Sequence, residues 1–410
     1  MKGRLGSHYI TAIDIGTTKI CVLIAQQIGD AHLEIVGIGR APSLGLARGV
    51  VVDIAPAVHS IKAALKEAEL MAGVSVESAY IGISGGHISA CNSQGIVPIK
   101  HGEVRELDIN AVLSAAKAIP LPEGQQLLHA LPQFFTIDRS HVVRDPLGMY
   151  GVRLEAQVHL ITGAVASVQN LIRCCALAGV KAQDIILEPL ASADAVLSGD
   201  ERELGIGLLD IGGGTSDFAI YQQGNIRHTQ VFLIAGNVFT NDLAICLRTT
   251  IKDAERIKKE HGTADASLMQ HNIPLQVDTV HGQEQQTVMS RDVSAVLTSR
   301  AQELFECMKE SIGTQNLRPL MHAGLVLTGG GALLHGLKDQ AESILNIPVR
   351  IGRPRVPANF QQALDDPSYA TGYGLLIQAM RRSKSGMTGL TGTFVTQVFS
   401  RMRSWVFDFF

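Results

Sequence analysis

Long apolar runs are missing from this sequence of 410 residues. None approaches the roughly 20 consecutive apolar residues that a membrane-spanning helix needs. The amino terminus has no apolar core of signal-peptide length either, because Asp14 interrupts the one candidate segment. We therefore expect a protein that is made and kept in the cytoplasm, and we expect any membrane contact to be peripheral.

A large net charge and C-x-x-C cysteine pairs are missing as well. The formal net charge is −3, which gives no reason to expect nucleic acid as the main partner. The six cysteines contain no C-x-x-C pair and lie mostly in apolar segments. They are typical of reduced thiols in the core of a cytosolic protein.

Aromatic residues are scarce, at 5% of the chain, yet five of the twelve Phe and the only Trp lie within residues 393–410. On a helix of about 100° per residue, the apolar side chains of this segment other than Phe407 fall within an arc of about 160°, with arginines at its edges. This pattern is typical of an amphipathic helix in a membrane interface, where arginines reach lipid phosphates. The predicted membrane contacts are Phe394, Val398, Phe399, Arg401, Met402, Arg403, Trp405, Val406, Phe409 and Phe410.

Ser, Gly and Thr are frequent in residues 381–392, which we interpret as a flexible linker before this helix. From Arg381 onward the chain carries five basic residues and one acidic residue, so anionic lipids are the expected membrane partner. The alternative is a terminal helix that docks on the protein's own core, which a long flexible linker would serve poorly.

Glycine is abundant, at 41 residues, and part of it belongs to a pattern that occurs twice. The segment YITAIDIGTTKICVLIA, residues 9–25, contains an apolar strand, a turn and a second apolar strand, and GIGLLDIGGGTSDFAIY, residues 205–221, repeats it. Asp210 of the second copy stands where Asp14 stands in the first. We interpret both segments as β-hairpins that open two similar α/β lobes.

Residues 85–162 break the rhythm of the first lobe. They predict two strands, a helix over DINAVLSAAKAIP and two further strands, which together make a small α+β insertion. In the second lobe, TIKDAERIKKEHG and VSAVLTSRAQELFECMKESI predict long helices, and GLVLTGGGALLHGLKDQAESIL predicts a strand, a glycine turn and a helix. The expected fold is therefore α/β, with two lobes and an inserted subdomain.

Both hairpin turns place a carboxylate at a strand end, directly before Gly and Thr or further Gly residues. Backbone N–H groups and hydroxyls in such turns donate to phosphate oxygens, and Asp14 and Asp210 are suited to hold Mg²⁺ through its waters. The other candidate phosphate ligands are Gly16, Thr17, Thr18, Lys19, Gly212, Gly213, Gly214 and Thr215. Either turn alone is explained equally well by an ordinary glycine-rich hairpin, whereas the pair favours a nucleotide site.

A third glycine cluster, Gly329, Gly330 and Gly331, lies between a predicted strand and a predicted helix. Its backbone can approach a base or a ribose, and the helix N-terminus favours anionic groups. Neither a P-loop nor a G-x-G-x-x-G fingerprint is present. Glu255 and Lys258 share one helix face suited to ribose hydroxyls and a base edge; a solvated charged face is the alternative explanation for this pair.

Together these motifs resemble the actin-like ATPase superfamily, which includes actin, sugar kinases, heat-shock chaperones and MreB. DIGTT from Asp14 resembles the first phosphate motif, DIGGGTSD from Asp210 the second, and TGGGA from Thr328 the adenosine motif. EPLASADAV and PSYATGYGLL resemble the two connecting helices. The resemblance implies ATP and Mg²⁺ as ligands and a catalytic role for Glu188, which would lie nearest the γ-phosphate and orient an attacking water.

Within the superfamily, the chain resembles the FtsA family of bacterial cell-division proteins over nearly its whole length. The placement of the insertion and the terminal amphipathic helix carry this resemblance. It implies that the small residues Ala191, Ala193, Ala370 and Gly372 allow a close crossing of the connecting helices. It also implies subdomain 1A at 8–84 and 163–195, 1C at 85–162, 2A at 196–225 and 300–380 with helix 367–380 returning to 1A, 2B at 226–299, a linker at 381–392 and a membrane helix at 393–410.

By the same resemblance, ATP is mainly a structural ligand, and the sequence leaves open whether the chain is an enzyme with slow ATP hydrolysis. The protein would self-associate into actin-like filaments and anchor filaments of the tubulin-like FtsZ to the cytoplasmic face of the inner membrane at the division septum. The C-terminal peptide of FtsZ is the expected partner of subdomain 2B, with Arg300 and Glu303 as candidate contacts. The insertion would recruit later division proteins and contribute to the filament contact.

Other functions are possible on the same scaffold. A PilM-like pilus-assembly ATPase shares the scaffold and the type of insertion, but it lacks a terminal amphipathic helix of this kind. A sugar kinase needs a substrate pocket and a catalytic-base Asp between the lobes, for which the sequence offers no clear candidate. A chaperone ATPase domain is disfavoured because no substrate-binding domain follows.

Overall fold

The computed structural model describes residues 9–28, 32–269, 271–280, 284–356 and 361–384. The predicted amphipathic helix and most of the predicted linker lie outside these residues. Within them, the chain forms two α/β lobes, an inserted subdomain and two helices that connect the lobes, which is the fold class that the sequence predicts.

The first lobe begins with the predicted hairpin and has a five-stranded sheet with helices on both faces. Before the insertion its elements are β1 (Tyr9–Ile15), β2 (Lys19–Ile28), β3 (His32–Pro42), β4 (Leu46–Ala47), β5 (Val50–Val51), α1 (Ile54–Ala72) and β6 (Ser78–Ile83). The strand order of the sheet is completed by β11, after the insertion, to give β11-β6-β1-β2-β3, where β11 is Lys181–Leu187. α1 begins after Asp53, whose side chain accepts a hydrogen bond from the Ala55 N–H, and ends at Gly73.

Strand β1 is buried on both faces, which explains why its sequence is a continuous apolar run. Ile10 and Ala12 enter the core that lies under the connecting helices. Ile13 and Ile15 enter the core on the opposite face, together with apolar residues of α1. A strand covered on both sides has no polar face, so Asp14 at its end is an exception that needs a local reason.

The inserted subdomain is a four-stranded antiparallel sheet with one helix packed on it. Its elements are β7 (Ser89–Pro98), α2 (Glu106–Lys117), β8 (Gln125–Ile137), β9 (His141–Val143) and β10 (Arg153–Ala164), and the strand order is β7-β10-β8-β9. The prediction of two strands before the helix is wrong, because β7 pairs with β10 without a break from Ser89 to Pro98. The turn-forming residues in the middle of β7 are held extended by this pairing.

The chain then returns to the first lobe and enters the second, which repeats the five-stranded arrangement. The elements are α3 (Val165–Ala178), β11, α4 (Glu188–Val196), α5 (Gly199–Leu204), β12 (Ile206–Ile211), β13 (Ser216–Gln222), β14 (Asn225–Phe232), α6 (Gly236–Cys246), α7 (Ile251–His261), β15 (Pro274–Asp278), β16 (Gln285–Met289), α8 (Ser290–Thr314), β17 (Leu325–Thr328), α9 (Leu337–Leu345), β18 (Val349–Ile351), α10 (Gln361–Leu364) and α11 (Ala370–Lys384). The second sheet has the order β14-β13-β12-β17-β18, and β15 pairs only with β16.

Five of the predicted boundaries fall inside secondary-structure elements. The boundary at 162/163 cuts β10, and the boundary at 195/196 cuts α4. The boundary at 225/226 cuts β14, which belongs to the second five-stranded sheet. The boundary at 299/300 cuts α8, which is one continuous helix. Helix α11 extends to Lys384, so residues 381–384 of the predicted linker are helical. In each case hydrogen bonding along one element continues past the change in composition.

The two connecting helices, α4 and α11, share one buried core with both lobes. They approach most closely at Gly374, where an added Cβ would lie 1.8 Å from the Ala191 carbonyl oxygen. Gly372, the glycine that the sequence suggested for this crossing, faces the Leu23 side chain in the first lobe instead. The expected close crossing is present, but the glycine at the crossing is Gly374, two residues after Gly372.

Candidate functional site

A cleft of about 1070 Å³ lies between the two lobes. Every residue that the sequence indicated for phosphate, adenosine or water positioning lines it. These residues are Asp14, Gly16, Thr17, Thr18, Lys19, Glu188, Asp210, Gly212, Gly213, Gly214, Thr215, Glu255, Lys258, Gly329, Gly330 and Gly331. Side chains from both halves of the chain therefore converge on one space.

The two hairpin turns have the same hydrogen-bonding pattern. In the first, the Gly16 N–H donates to the Lys19 carbonyl at 3.0 Å; in the second, the Gly212 N–H donates to the Thr215 carbonyl at 2.9 Å. Asp14 and Asp210 each occupy the second-to-last position of the first strand. The structural repeat confirms that the sequence repeat encodes two equivalent turns.

The turns face each other across the cleft at close range. A Cβ on Gly213 would lie 2.4 Å from Thr18 Cγ2, and a Cβ on Gly214 would lie 2.3 Å from Thr17 Oγ1. The Thr17 hydroxyl also accepts a hydrogen bond from the Gly49 N–H at 3.0 Å. Glycine is therefore needed in the second turn because the first turn occupies the space that a side chain would take.

Hydroxyl groups hold two of the buried carboxylates in fixed positions. Asp210 accepts hydrogen bonds from Ser192 on α4 and from Thr371 on α11, the latter at 3.1 Å. Asp217 accepts from the Ser84 hydroxyl at 2.6 Å and from Thr215 at 3.0 Å. Ser84 follows β6 in the first lobe, so its bond to Asp217 crosses between the lobes.

Sequence reasoning indicated Thr215 but missed the other three hydroxyl partners, Ser84, Ser192 and Thr371, as site residues. Ser192 and Thr371 lie in the two predicted connecting helices, but the prediction for these helices used only the small residues beside them. Asp217 is the last residue of the DIGGGTSD motif. Its position in β13 beside Asp210 is fixed by the hairpin register. Nothing in the local sequence around Ser84 signals its role, because its partner is 133 residues away.

Burial of several carboxylates in one place raises their pKa values. The pKa of Asp14 rises to about 6, mainly through burial, with Lys19 opposing and Asp210 adding to the rise. Burial raises the pKa of Asp217 to about 7. The pKa of Glu188 lies well above its usual value because of burial and the nearby Asp14 and Asp217. These carboxyl groups therefore bind protons more tightly than free carboxyl groups do, and a nearby divalent cation would compete with those protons.

The carboxylates of the cleft come from several elements of the chain. Within the described parts of the chain, no three His, Cys, Asp or Glu side chains converge as ligands on a single ion. Asp14 and Asp210 approach the cleft from opposite lobes. This geometry is compatible with Mg²⁺ that keeps most of its waters and binds phosphate oxygens, which is the mode that Mg²⁺ favours.

Lys19 lies at the junction of both lobes and the returning chain. Its ammonium donates to the Ser368 carbonyl at 2.5 Å and lies over the Tyr369 ring, 5.1 Å from the ring centre. Arg40 contacts the same ring from 5.3 Å and donates to its hydroxyl at 3.1 Å. Lys19 also lowers the pKa of Asp14, so its charge acts on the carboxylates directly.

Glu255 and Lys258 are not a fully solvated charged face. The two side chains form an ion pair at 2.6 Å, and the Lys258 side chain is only 13% exposed. The Lys258 ammonium also donates to the Gly236 carbonyl and to the Thr240 hydroxyl, and Lys259 pairs with Glu255 at 2.9 Å. α7 therefore presents an ordered, partly buried polar edge to the cleft.

The triple glycine is placed differently from the prediction. Gly330 and Gly331 are the first two residues of a 3₁₀ turn, Gly330–Leu333, and α9 starts only at Leu337. The glycines consequently do not form the N-terminus of that helix. They pack against Ile211 and Asp210 of β12 and leave the backbone exposed along one wall of the cleft.

The far end of the cleft contains residues that the sequence did not indicate. Met269 and Ile273 provide apolar surface there, while Ser290 and the imidazoles of His271 and His335 provide polar groups. A mixed apolar and polar pocket of this kind suits a flat heteroaromatic ring. No local pattern connects these residues, which come from separate loops and helices.

Arg300 and Glu303, the candidate partner contacts, lie outside the cleft on α8. The Arg300 guanidinium pairs with Asp242 of α6 at 2.5 Å and with Glu303. Its side chain is 24% exposed. The two residues therefore form a surface network that links α8 to α6.

The predicted membrane residues, Phe394 to Phe410, lie outside the described residues. Among the helices that the structure describes, none is both long enough and apolar enough to cross a membrane.

The lobes, their repeated hairpins, the connecting helices and the cleft together define a protein with the actin-like ATPase fold. Solved structures of this class superpose over most of the chain. The PilM–PilN type IV pilus biogenesis complex matches with a TM-score of 0.65 at 17% identity, covering 90% of this chain and 98% of the other. MreB5 of Spiroplasma citri bound to ADP matches with a TM-score of 0.57 at 15% identity, covering 92% and 98%. At these identities the likeness concerns the fold alone.

Sequence comparison is more specific. The family model for cell division protein FtsA matches residues 207–374, and the model for the SHS2 domain inserted in FtsA matches residues 85–162. The cell division protein FtsA of Pseudomonas aeruginosa is 42% identical over 404 residues, which cover 97% of each chain. The chain belongs to the FtsA family and is an actin-like protein of cell division. The PilM and sugar-kinase alternatives are left with a distant likeness in fold.

Proposed function

We propose that this protein binds ATP with Mg²⁺ in the cleft, self-associates, and anchors FtsZ filaments to the cytoplasmic face of the inner membrane through its carboxyl-terminal residues. The observation that carries the proposal is the cleft, where two equivalent phosphate-type turns and four buried carboxylates meet. The solved structure of MreB5 with ADP, which has the same fold, supports a nucleotide as the ligand.

The residues present fit ATP and Mg²⁺. The turns that begin at Gly16 and Gly212 supply backbone N–H groups and hydroxyls for the phosphates, and Lys19 supplies a positive charge. Asp14 and Asp210 would hold Mg²⁺ through its waters, and the ion would neutralise both the phosphates and these carboxylates. The edge of α7 with Glu255 and Lys258, and the backbone at Gly329 to Gly331, would hold the nucleoside.

Glu188 is suited to orient a water molecule at the γ-phosphate. It is the first residue of α4 and its carboxyl group faces the cleft beside Asp14 and Asp217. Its raised pKa favours a protonated side chain until a cation enters, so proton uptake by Glu188 and binding of Mg²⁺ are coupled. Turnover would be slow, and the main role of the nucleotide would be to hold the lobes together.

The partner surfaces follow from the family and from the charge pattern. FtsZ would contact the surface around α8 through its C-terminal peptide, with Arg300 and Glu303 at or near the contact. The inserted subdomain would recruit later division proteins and contribute to self-association. The segment 393–410 would bind anionic lipids, and filament formation would multiply its avidity.

Vesicle co-pelleting tests the proposal. Full-length protein should pellet with vesicles that contain anionic lipid, more so with ATP and Mg²⁺, and should bring purified FtsZ with it. Trp405→Asp places a charge in the apolar arc and should reduce pelleting at least about tenfold, since burying a charge at the interface is unfavourable. Phe407→Asp is the matched control, because Phe407 lies outside the arc.

Equal loss for both variants, or undiminished pelleting after deletion of 393–410, would contradict the membrane assignment. Nucleotide binding should be the same in all these variants, because they leave the cleft intact. Absence of ATP binding by the wild-type protein would contradict the nucleotide assignment independently of the membrane result.

A further inference from the structure

One face of the inserted sheet packs against both lobes of the protein. His129 on β8 and His159 on β10 are diagonal neighbours on this face, since Leu131 pairs with His159 and His129 pairs with Ile161. His159 contacts the second lobe through the Thr229 hydroxyl at 2.9 Å. His129 contacts the first lobe, where its Nε2 accepts a hydrogen bond from the Leu187 N–H at 3.1 Å.

Leu187 occupies a sensitive position in the nucleotide site. It is the last residue of β11, the edge strand of the first sheet, and it directly precedes Glu188. No side chain caps the first turn of α4, and Pro189 removes one of its N–H groups. The hydrogen bond from the Leu187 N–H to His129 Nε2 therefore holds the backbone in place at the start of this helix.

The Glu188 side chain has little freedom of its own. A Cβ added to Gly82 on β6 would lie 3.2 Å from Glu188 Cγ and 3.4 Å from its Oε1, so the side chain lies flat against the sheet. Rotation away from this surface is limited on one side by β6. The location of the carboxyl group consequently depends on where the backbone at Leu187 and Glu188 lies.

The acceptor atom of His129 is available at neutral pH. An imidazole nitrogen accepts a hydrogen bond only when it is unprotonated. Burial, with a smaller contribution from the Arg382 charge, lowers the pKa of His129 to about 3. His129 itself is 4% exposed, so water cannot readily replace it as the acceptor.

We propose that His129 is a positioning residue for the nucleotide site: through the Leu187 N–H, the inserted subdomain fixes Glu188 and thereby sets the rate of ATP hydrolysis. This inference rests on the proposed binding of ATP and on the proposed role of Glu188. It gives the inserted subdomain a function inside the molecule, because a residue outside both lobes determines the geometry of the cleft. Small displacements of a group that orients a reactant are expected to lower the rate strongly.

Single-turnover hydrolysis of ATP by the full-length protein on vesicles, followed over hours, tests this role. His129→Leu keeps the volume but lacks an acceptor, and it should lower the rate constant about tenfold to a hundredfold while the Kd for ADP changes less than about twofold. His129→Gln places an amide oxygen near the original Nε2 and should restore most of the rate. His159→Leu, the matched control, removes the neighbouring buried histidine and should leave the rate within about twofold, because its partner is in the second lobe.

Other outcomes separate the hypotheses. Equal losses for His129→Leu and His159→Leu, or no rescue by His129→Gln, would overturn the inference. If the wild-type protein binds ATP but hydrolyses none, the role of Glu188 and this inference both fail while nucleotide binding stands; if it binds no ATP, the proposed function fails. Should His129→Leu not fold, amide hydrogen exchange in the wild-type protein decides: slow exchange at Leu187 supports the bond, and rapid exchange overturns it.

Discussion

At the scale of single residues, the unusual feature is a group of four carboxylates that the fold buries together beside Lys19. Asp14, Glu188, Asp210 and Asp217 all have raised pKa values, and burial is the largest cause for each. Lys19 is the cation that opposes the rise at Asp14, Glu188 and Asp210. Buried ionised groups are costly unless they are compensated, so these carboxylates favour either bound protons or a nearby cation.

Asp217 provides a test of this environment. Because its pKa is raised in the folded protein, the folded state binds protons more tightly than the unfolded state, and this contribution to stability is lost as the pH rises through about 7. Asp217→Asn removes the charge and keeps the shape. Without nucleotide and Mg²⁺, we expect the variant to unfold at least about 2 °C above the wild type at pH 8, and we expect the difference to shrink or reverse at pH 5.

Thermal unfolding at both pH values, with Glu123→Gln in an exposed loop as the control, measures the effect. The control should show no such pH-dependent difference. A wild type that is more stable than Asp217→Asn at pH 8 would show that the hydroxyls of Ser84 and Thr215 compensate the charge fully.

At the scale of secondary-structure elements, the connection between the two lobes depends on how closely α4 and α11 cross. Small side chains are spread along both helices, so the composition alone indicates a close contact. The contact itself is specific, because the Ala191 carbonyl occupies the space beside Gly374. Gly372, two residues earlier, faces the buried Leu23 side chain, where an added Cβ would lie 3.2 Å from Leu23 Cδ1 and would have side-chain atoms as its nearest neighbours.

Substitution of these two glycines should change the stability by clearly different amounts. Gly374→Ala forces the helices apart and should destabilise the protein by about 2–3 kcal/mol, the usual cost of overpacking a rigid contact. Gly372→Ala should be close to neutral, because the gain in helix propensity of about 1 kcal/mol offsets a mild squeeze on Leu23. Chemical denaturation of both variants gives the two values, and a larger loss for Gly372→Ala would contradict the assignment of the crossing point.

At the scale of the whole molecule, the two lobes meet at the turns that line the cleft. Gly214 lies against Thr17 and the Arg48 backbone of the opposite lobe, and Ser84 bonds to Asp217 across the same gap. These contacts close the cleft around the space for the phosphates. Each lobe has its own apolar core, so the closure can be disturbed while the lobes remain folded.

Gly214→Ala tests whether closure and nucleotide binding are linked. The added methyl group would lie 2.3 Å from Thr17 Oγ1 and 2.9 Å from Arg48 Cα, which prevents full approach of the lobes. We expect the Kd for ATP to rise about tenfold or more, because a ligand held from two sides loses one set of contacts, while the Tm without nucleotide changes by less than about 2 °C.

Gly199→Ala is the matched control for this experiment, since its added Cβ would meet no atom within 4 Å and Gly199 does not line the cleft. Isothermal titration with ATP measures both variants. Equal affinities for Gly214→Ala and wild type would show that the nucleotide binds to one lobe without closure.

Much of the nucleotide cleft could be predicted from the sequence because its motifs are local. A strand, an aspartate and a glycine turn repeat within 17 residues at 9–25 and again at 205–221, and local hydrogen bonds shape both turns. Predictions failed where pairing between distant segments decided the structure. β7 is continuous because β10 holds it extended, and α8 continues through a change in composition that suggested a boundary.

The sequence by itself determined the two lobes, the insertion and the turns, since apolar periodicity and glycine placement act over a few residues. Only the tertiary structure decided which hydroxyls hold Asp210 and Asp217, which glycine lies at the helix crossing, and that His129 contacts Leu187. The physical reason is that these contacts join residues far apart in the chain. Their geometry is fixed by the angles at which whole elements pack, and no local pattern encodes those angles.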